Sequence, residues 1–348
     1  MKRVHALDNL RWGTVLLVIV YHACYIYNSC GVSTNIGVQG IAQVDVIEHF
    51  LYPWFMVFMF VIAGISARFS LQKRTGKAFL KDRAVRILVP SLIGQLTYGW
   101  ITGWVGMQYA EIPPETPGWV NYLIMFLSGE GPLWFCRLLF AYCVLLLLVR
   151  RIDKKERLVQ LGERAGLPVL LCGAVPLWLS SFLFNMPMIT VYRCGIYGFA
   201  FLCGYCVFSH ESVREKLHRA WWLIFPACVL GVLVCALYYG ENYATYAFLQ
   251  KPLINLYAWL MVLALLGAGG RFLEFSTPFT AFMTSRSQAY YLLHYTYVSI
   301  LGYLCAENEA IPFAAKYGIV LIGTFVLLVP TTELLRRIPV VRRLLLGM

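Results

Sequence analysis

An arginine and a histidine lie eleven residues apart in the first apolar stretch, LDNLRWGTVLLVIVYHA. In an α-helix, Arg11 and His22 would project from faces only about 20° apart, displaced by about 16 Å along the axis. A neutral histidine can accept a proton from a hydroxyl, and an arginine can bind phosphate through two hydrogen bonds. The spacing therefore favours a catalytic wall with His22 as its base. The alternatives are that Arg11 extends to the lipid headgroups and that His22 bonds neighbouring helices.

The composition indicates that membrane helices position these two residues. The chain has 348 residues, of which 60% are hydrophobic and 13% charged, whereas soluble proteins have roughly 25% charged residues. Apolar stretches recur with about 17–22 residues, the length that crosses a bilayer core as a helix. We predict one all-α integral membrane domain over residues 1–348. Its ten transmembrane helices are expected near residues 10–28, 46–67, 87–107, 132–149, 167–184, 194–208, 220–240, 252–268, 287–304 and 313–333.

The lysines and arginines predict how the chain is oriented, because basic residues concentrate on the cytosolic side of membranes. Of the 29 basic residues, 25 fall in segments 1–11, 68–86, 150–164, 214–219, 271–286 and 336–343. Both termini are therefore expected in the cytosol. The net charge of +12 needs no nucleic-acid partner, since these residues would lie beside anionic lipid headgroups.

One arginine lies inside the predicted fourth span. Arg137 would be costly there unless it is paired, and Glu130 or Glu48 could neutralise it. The pair is either a structural ion pair or part of a site that recognises an anionic or sugar acceptor. Trp134 could stack on a sugar in such a site, and its alternative role is that of an interfacial membrane anchor.

A tyrosine and a histidine share a face of the predicted ninth span, because three residues separate Tyr291 from His294. They either line the active cavity or bond neighbouring helices. Cys203 and Cys206, in CGYC, resemble a metal or redox pair, but they lie in an apolar stretch with no second such pair. We therefore predict no metal site.

Several motifs along the chain resemble those of acyltransferase family 3, a family of integral membrane proteins. The arginine, ten residues and histidine of the first span are followed, in family order, by FMFVIAGISARFSL, RAVRILVP, PLWFCRLLFAYC, YYLLHYTYV and ELLRRIPVVRRLLLG. The chain ends and the second span resemble the branch that contains glucan biosynthesis protein C. Pro132 occupies the position where many relatives have a histidine before Leu-Trp-Phe, so the role of that histidine does not transfer.

The resemblance implies an acyl-CoA-dependent enzyme of a bacterial inner, or cytoplasmic, membrane. It would move an acyl group, acetyl or succinyl, from cytosolic acyl-CoA to a hydroxyl of an extracytoplasmic glycan, glycolipid or other envelope acceptor, with His22 as general base. The residues expected around the coenzyme A phosphates are Arg11, Arg68, Lys73, Arg74, Arg83 and Arg86. The acceptor would contact Glu130, Trp134, Arg137, Tyr291 and His294.

Several alternatives stay open at this point. The basic segment 68–86 could instead be an amphipathic segment that binds lipid headgroups. His22 could form an acyl-histidine intermediate, and the sequence identifies no oxyanion stabiliser. The chain could also be a carrier or flippase for a glycolipid or small anion, or a sensor that kept the fold, although it shows no inverted repeat of the kind common in transporters. The oligomeric state is open.

Overall fold

The computed structural model describes residues 3–186 and 191–348. It is 75% helical, and the described residues form no strand. Lys2 of the predicted cytosolic segment 1–11 and residues 187–190 of the predicted outer loop 185–193 lie outside the described residues. An all-helical chain is therefore confirmed for the part that the structure describes.

The helices of the first half of the chain include both short and long elements. They are α1 (His5–Tyr25), α2 (Asp45–Leu51), α3 (Phe55–Leu71), α4 (Gly76–Arg83), α5 (Val89–Gly94), α6 (Trp100–Met107), α7 (Gly118–Ser128), α8 (Trp134–Ile152) and α9 (Arg157–Glu163). Two π-helical segments, Ala84–Leu88 and Gln95–Gly99, interrupt the run from α4 to α6. Such segments insert an extra residue into a helical turn and are frequent at functional sites.

The second half contains the longest helices. They are α10 (Leu167–Cys172), α11 (Ala174–Ser180), α12 (Cys194–Cys203), α13 (Glu211–Arg219), α14 (Ile224–Leu237), α15 (Tyr246–Leu249), α16 (Pro252–Phe272), α17 (Pro278–Ala306), α18 (Phe313–Arg336) and α19 (Pro339–Leu344). A third π-helical segment, Gly204–Phe208, extends α12. Pro330 lies inside α18, where it removes one backbone donor from the helix.

Four helical stretches of the described residues are long and apolar enough to cross a membrane: Asp45–Leu71, Gly131–Ile152, Pro252–Phe272 and Phe313–Arg336. The number rises to six if two bent pairs each form one span. The first pair, Arg157–Glu163 with Leu167–Ser180, is bent by 118°, and the second, Glu211–Arg219 with Trp221–Leu237, by 64°. A membrane protein is thus supported, while ten spans and cytosolic termini stay predictions.

The chain divides into two compact units. Unit 1 comprises Met1–Thr14, His49–Lys81 and Ala141–Thr284, as far as these are described. Within it, α3 and α12 approach so closely that a side chain at Gly64 would overlap the Phe201 carbonyl oxygen. A side chain at Gly204 would likewise overlap the Val61 carbonyl oxygen. Small residues permit this close backbone approach between membrane helices.

Unit 2 comprises Val15–Glu48, Asp82–Phe140 and Ser285–Met348. Its buried core includes Ile26, Tyr27, Val298 and Val320. The short α19 packs against α5 in this unit. Whether the whole chain behaves as the single predicted domain stays a prediction.

Candidate functional site

Two histidines of unit 2 meet through their ring nitrogens. His22 Nδ1 lies 2.8 Å from the Val18 carbonyl oxygen, one turn earlier in α1, and 3.3 Å from His294 Nε2. His294 Nδ1 lies 2.7 Å from the Tyr291 carbonyl oxygen in α17. The contact therefore joins two helices, and each imidazole is also oriented by its own backbone.

The carbonyl partners determine which nitrogen of each neutral imidazole carries the proton. A carbonyl oxygen only accepts hydrogen bonds, so both Nδ1 atoms are the protonated ones. His294 Nε2 then directs its lone pair at the Nδ1–H of His22. The same assignment leaves Nε2 of His22 with a lone pair that can accept a proton. His294 is fully buried, whereas His22 keeps partial exposure, so a substrate could reach His22 first.

Aromatic rings surround the His22 imidazole. The ring centroids of Tyr21 and Tyr295 each lie 5.0 Å from that of His22, and the Tyr25 centroid lies 5.8 Å away. All three contacts are edge-to-face. The Tyr295 hydroxyl donates to Asn35 Oδ1 at 3.1 Å. These contacts limit the rotation of the imidazole and so help to orient its Nε2 atom.

A second polar group of unit 2 surrounds Arg137 in α8. Arg137 Nη1 pairs with Glu130 Oε1 at 2.8 Å, and Nη2 donates to Gln95 Oε1. Gln95 belongs to a π-helical segment, and its amide donates to the Phe126 carbonyl oxygen at 2.7 Å. Of the two carboxylates considered from the sequence, Glu130 is therefore the one seen paired with Arg137.

Two tyrosines of α17 connect the histidine pair to the segment before α8. The Tyr291 hydroxyl donates to the Pro132 carbonyl oxygen at 2.7 Å. Gly131 adopts a φ of 44°, and a side chain there would contact the Tyr295 ring. A bulky residue at Gly131 would thus meet both backbone strain and a ring.

The structure brings five of the predicted site residues into one unit: His22, His294, Tyr291, Glu130 and Arg137. Trp134 is buried in the same unit, and its ring packs edge-to-face on Phe135.

The residues predicted to bind coenzyme A phosphates divide between the two units. Arg11 pairs with Asp8 at 2.9 Å within unit 1. Lys73 and Arg74 are exposed in unit 1, and Arg83 and Arg86 belong to unit 2. Arg86 pairs with Asp82 at 3.0 Å. Their role towards a donor stays a prediction.

Arg68 has a carboxylate partner that the sequence reading did not anticipate. Its two terminal nitrogens donate to the two carboxylate oxygens of Glu156 at 2.8 and 2.9 Å. The Tyr205 hydroxyl lies 3.3 Å from Nη1. The hydrogen bonds from Arg68 hold the pKa of Glu156 below its usual range. A phosphate that binds both terminal nitrogens of Arg68 would compete with Glu156 for them.

The residues of the candidate site that were not predicted include Asn35, Gln95 and Tyr295. Gln95 carried a signal that could have identified it, because it is an amide side chain inside the predicted span 87–107. Asn35 lies in a loop of ordinary composition, and Tyr295 is one of 22 tyrosines. Neither had a local pattern that distinguished it.

The CGYC pair lies at the junction of α12 and the π-helical segment that follows it. Cys203 is the last residue of α12, and Cys206 lies within the π-helical segment. Within residues 3–186 and 191–348, no group of three His, Cys, Asp or Glu side chains could hold a metal ion.

A family model described as an acyltransferase domain, Acyl_transf_3, matches residues 4–333. The chain belongs to acyltransferase family 3. Membership of acyltransferase family 3, together with the apolar helices, supports a membrane acyltransferase. No curated protein and no solved structure gives a significant match. The resemblance to the family is confirmed, and the likeness to the glucan biosynthesis branch stays a prediction.

Proposed function

We propose that the chain is an O-acyltransferase that takes an acyl group, acetyl or succinyl, from cytosolic acyl-CoA. The acceptor is a hydroxyl of an extracytoplasmic glycan, glycolipid or other envelope molecule, and His22 is the general base. Family membership supports the acyl transfer. The contact between His22 and His294 is the observation that supports the base.

In the proposed reaction, His22 Nε2 accepts the proton of the acceptor hydroxyl while the hydroxyl oxygen bonds to the thioester carbon. The carbon–sulfur bond then breaks, and the coenzyme A thiolate leaves and takes up the proton. Because the Nδ1–H of His22 is bonded to Val18 and faces the His294 lone pair, the positive charge that develops on His22 is stabilised. An acyl-histidine formed on the same Nε2 atom is the alternative route, and it needs the same nitrogen.

The other proposed roles follow from the positions of the charged residues. The Arg137–Glu130 pair lies in the same unit as the two histidines, and we assign acceptor recognition to it together with Trp134 and Tyr291. We assign the donor phosphates to Arg11, Arg68, Lys73, Arg74, Arg83 and Arg86. At Arg68, a phosphate would compete with Glu156 for the two terminal nitrogens.

We further propose ten membrane spans with both termini in the cytosol of a bacterial plasma membrane, and kinship with the glucan biosynthesis protein C branch. The distribution of basic residues supports this orientation. Cysteine accessibility mapping at residues 2 and 348 would test the position of the termini.

The experiment for the function measures release of free thiol from acetyl-CoA and succinyl-CoA by the purified chain in detergent, with a membrane extract as acceptor. His22→Ala is expected to lower the rate by about a hundredfold to ten-thousandfold. His5→Ala is the matched control, because this histidine also lies on α1 but outside the pair, and it should retain the wild-type rate.

Two outcomes would contradict the proposal in different ways. Equal turnover by wild type and His22→Ala would retain the enzyme and reject His22 as its base. If neither donor binds or reacts in the presence of the extract, a carrier or flippase becomes the better explanation.

A further inference from the structure

Two arginines of unit 2 share one carboxylate at the end of the unit that is predicted to face the cytosol. Arg286 on α17 donates to Glu333 on α18, with Nε 2.7 Å from Oε1 and Nη2 3.3 Å from Oε2. Arg336 Nη1 lies 3.1 and 3.0 Å from the same two oxygens. The exposed side-chain fractions are 17% for Arg286, 29% for Arg336 and 35% for Glu333. One negative charge therefore lies between two positive charges, in a place that is only partly buried.

Each arginine has a buried hydroxyl one helical turn away on its own helix. Tyr290 follows Arg286 by four residues and is 1% exposed, and Thr332 precedes Arg336 by four residues and is 0% exposed. Among the described residues, neither hydroxyl has a hydrogen-bond partner. The Nε atom of Arg336 is also buried without a hydrogen-bond partner there. The Tyr290 hydroxyl interacts electrostatically with all three members of the cluster.

More positive charge lies at the same end of unit 2. The Gln288 amide donates to the Arg86 carbonyl oxygen, which places α17 beside the π-helical segment that carries Arg86. The C-terminal α19, with Arg342 and Arg343, packs against that segment and α5. Asp82 pairs with Arg86, so the arginines outnumber the carboxylates here.

These features together define the chemistry of a ligand. A buried hydroxyl without a partner is destabilising, and an excess of positive charge in a partly buried place favours a nearby anion. A carboxylate supplies two acceptor oxygens, and both oxygens of Glu333 are already bonded. A phosphate monoester supplies three acceptor oxygens and up to two charges, so it matches two arginines and two hydroxyl donors better than Glu333 alone does.

We propose that Arg286, Arg336, Tyr290 and Thr332 form a phosphate-binding site in which Glu333 occupies the place of the ligand until phosphate displaces it. The identity of the ligand rests on the proposed function, which supplies the nucleotide phosphates of acyl-CoA. An anionic phospholipid headgroup carries the same chemistry and is the other source. Neither arginine was among the residues assigned to the donor from the sequence.

The test uses the full chain in nanodiscs of phosphatidylcholine and adenosine 3′,5′-bisphosphate, a nucleotide without a thioester, as the calorimetric probe. Arg286→Gln and Arg336→Gln are each expected to weaken binding by roughly tenfold to a hundredfold, as for loss of a charged hydrogen bond. Glu333→Gln should tighten binding several-fold, because the competing carboxylate is lost. Arg337→Gln, an exposed neighbour outside the cluster, is the matched control and should change binding less than about twofold.

The expected changes in affinity have opposite signs: the arginine variants weaken binding, and Glu333→Gln tightens it. This pattern distinguishes a ligand site from a cluster of ion pairs that only stabilises the fold. If all three cluster variants lower the unfolding temperature equally and none changes the affinity, the proposal is wrong. Arg286→Lys keeps the charge, and it replaces Arg286→Gln if the latter does not fold. It should weaken binding less than the glutamine variant does.

A second arm compares nanodiscs with and without phosphatidylglycerol. Stabilisation by this lipid that requires Arg286, without any nucleotide binding, would support the phosphate site but overturn its assignment to the donor. His22→Ala should bind the bisphosphate as wild type does. Retained binding with failed thiol release in every preparation would therefore count against the proposed function and not against this site.

Discussion

The two units of the chain place their polar atoms differently. In unit 1, α3 and α12 meet through glycines and backbone carbonyls at Gly64 and Gly204. Its bidentate ion pair, between Arg68 and Glu156, involves the last turn of α3 and the residue before α9. In unit 2, two histidines meet side chain to side chain between two long helices.

This difference indicates which contacts stabilise the fold and which contacts serve the proposed reaction. Close packing of small residues holds membrane helices together without burying charges. His22 and His294 lie in the predicted spans 10–28 and 287–304, and ionisable side chains inside a span are costly and usually serve a function. We therefore expect substitutions at the glycine contacts of unit 1 to affect folding, and substitutions at the histidine pair of unit 2 to affect turnover.

The largest effect on stability is expected from Gly64→Val. The new side chain would overlap the Phe201 carbonyl oxygen, which is backbone and cannot rotate away. We expect a loss of about 3 kcal/mol in the free energy of unfolding, at the upper end for overpacked sites. Thermal unfolding of the detergent-purified chain would measure it.

Gly13→Val provides the matched control for this substitution. Gly13 lies on α1, in the part of that helix assigned to unit 1, and a Cβ atom there would meet no atom of another element within 4 Å. The variant should unfold within a few degrees of wild type. Equal destabilisation by both substitutions would show that the close approach of α3 and α12 is not what stabilises unit 1.

A smaller and purely kinetic effect is expected from His294→Phe. The ring volume is kept, but the lone pair facing the Nδ1–H of His22 is lost. We expect kcat to fall by about tenfold to a hundredfold, equivalent to about 1.4–2.7 kcal/mol in the activation free energy. KM for acyl-CoA should stay unchanged, because the residues proposed to bind the donor do not include His294, which contacts His22 and is fully buried.

His294→Gln should recover part of the lost rate, since its amide oxygen can accept the same hydrogen bond. Thiol-release kinetics across a range of acyl-CoA concentrations would separate kcat from KM. An unchanged kcat with a lowered unfolding temperature would assign His294 to packing, and the contrast between the two units would then fail.

The smallest expected effect is a loss of stability at low pH, when the Arg68–Glu156 ion pair of unit 1 breaks. The pKa of Glu156 is below its usual range because Arg68 donates two hydrogen bonds to it. This pair therefore stabilises the fold above the pKa of an unfolded glutamate, about 4.3. That contribution is lost as the pH falls through the lower pKa of the folded state.

The size of this contribution is expected to be under about 1 kcal/mol, because the Glu156 side chain is 37% exposed and water screens the pair. Unfolding temperatures of wild type and Glu156→Gln between about pH 7 and pH 3 would measure it. The two curves should converge at the acid end. Curves that stay parallel throughout would show that the pair contributes nothing that depends on pH.

The sequence predicted the helical class and the first helix well. Both Arg11 and His22 lie on α1, which overlaps the predicted span 10–28; that the two residues form one catalytic wall stays a prediction. In its described residues, the structure shows four to six candidate spans where ten were predicted, and a hydropathy window cannot detect the 118° bend between Glu163 and Leu167. It also cannot detect the π-helical segments within the predicted span 87–107 and beside it.

The contacts of the site depend on residues far apart in the chain. His22 and His294 were each identified as candidates, but 272 residues separate them, and no local periodicity shows that they touch. Glu156 lies 88 residues from Arg68. The type of a residue could thus be predicted, whereas its partner required the fold.

The carbonyl oxygens that orient the two histidines have a consequence for genetic screens. Val18 and Tyr291 hold the imidazoles through main-chain atoms, and no substitution of their side chains deletes those oxygens. A scan of single mutants would therefore find His22 while passing over the group that orients it. The orientation of the base would persist through sequence drift at position 18, provided that α1 stays helical there.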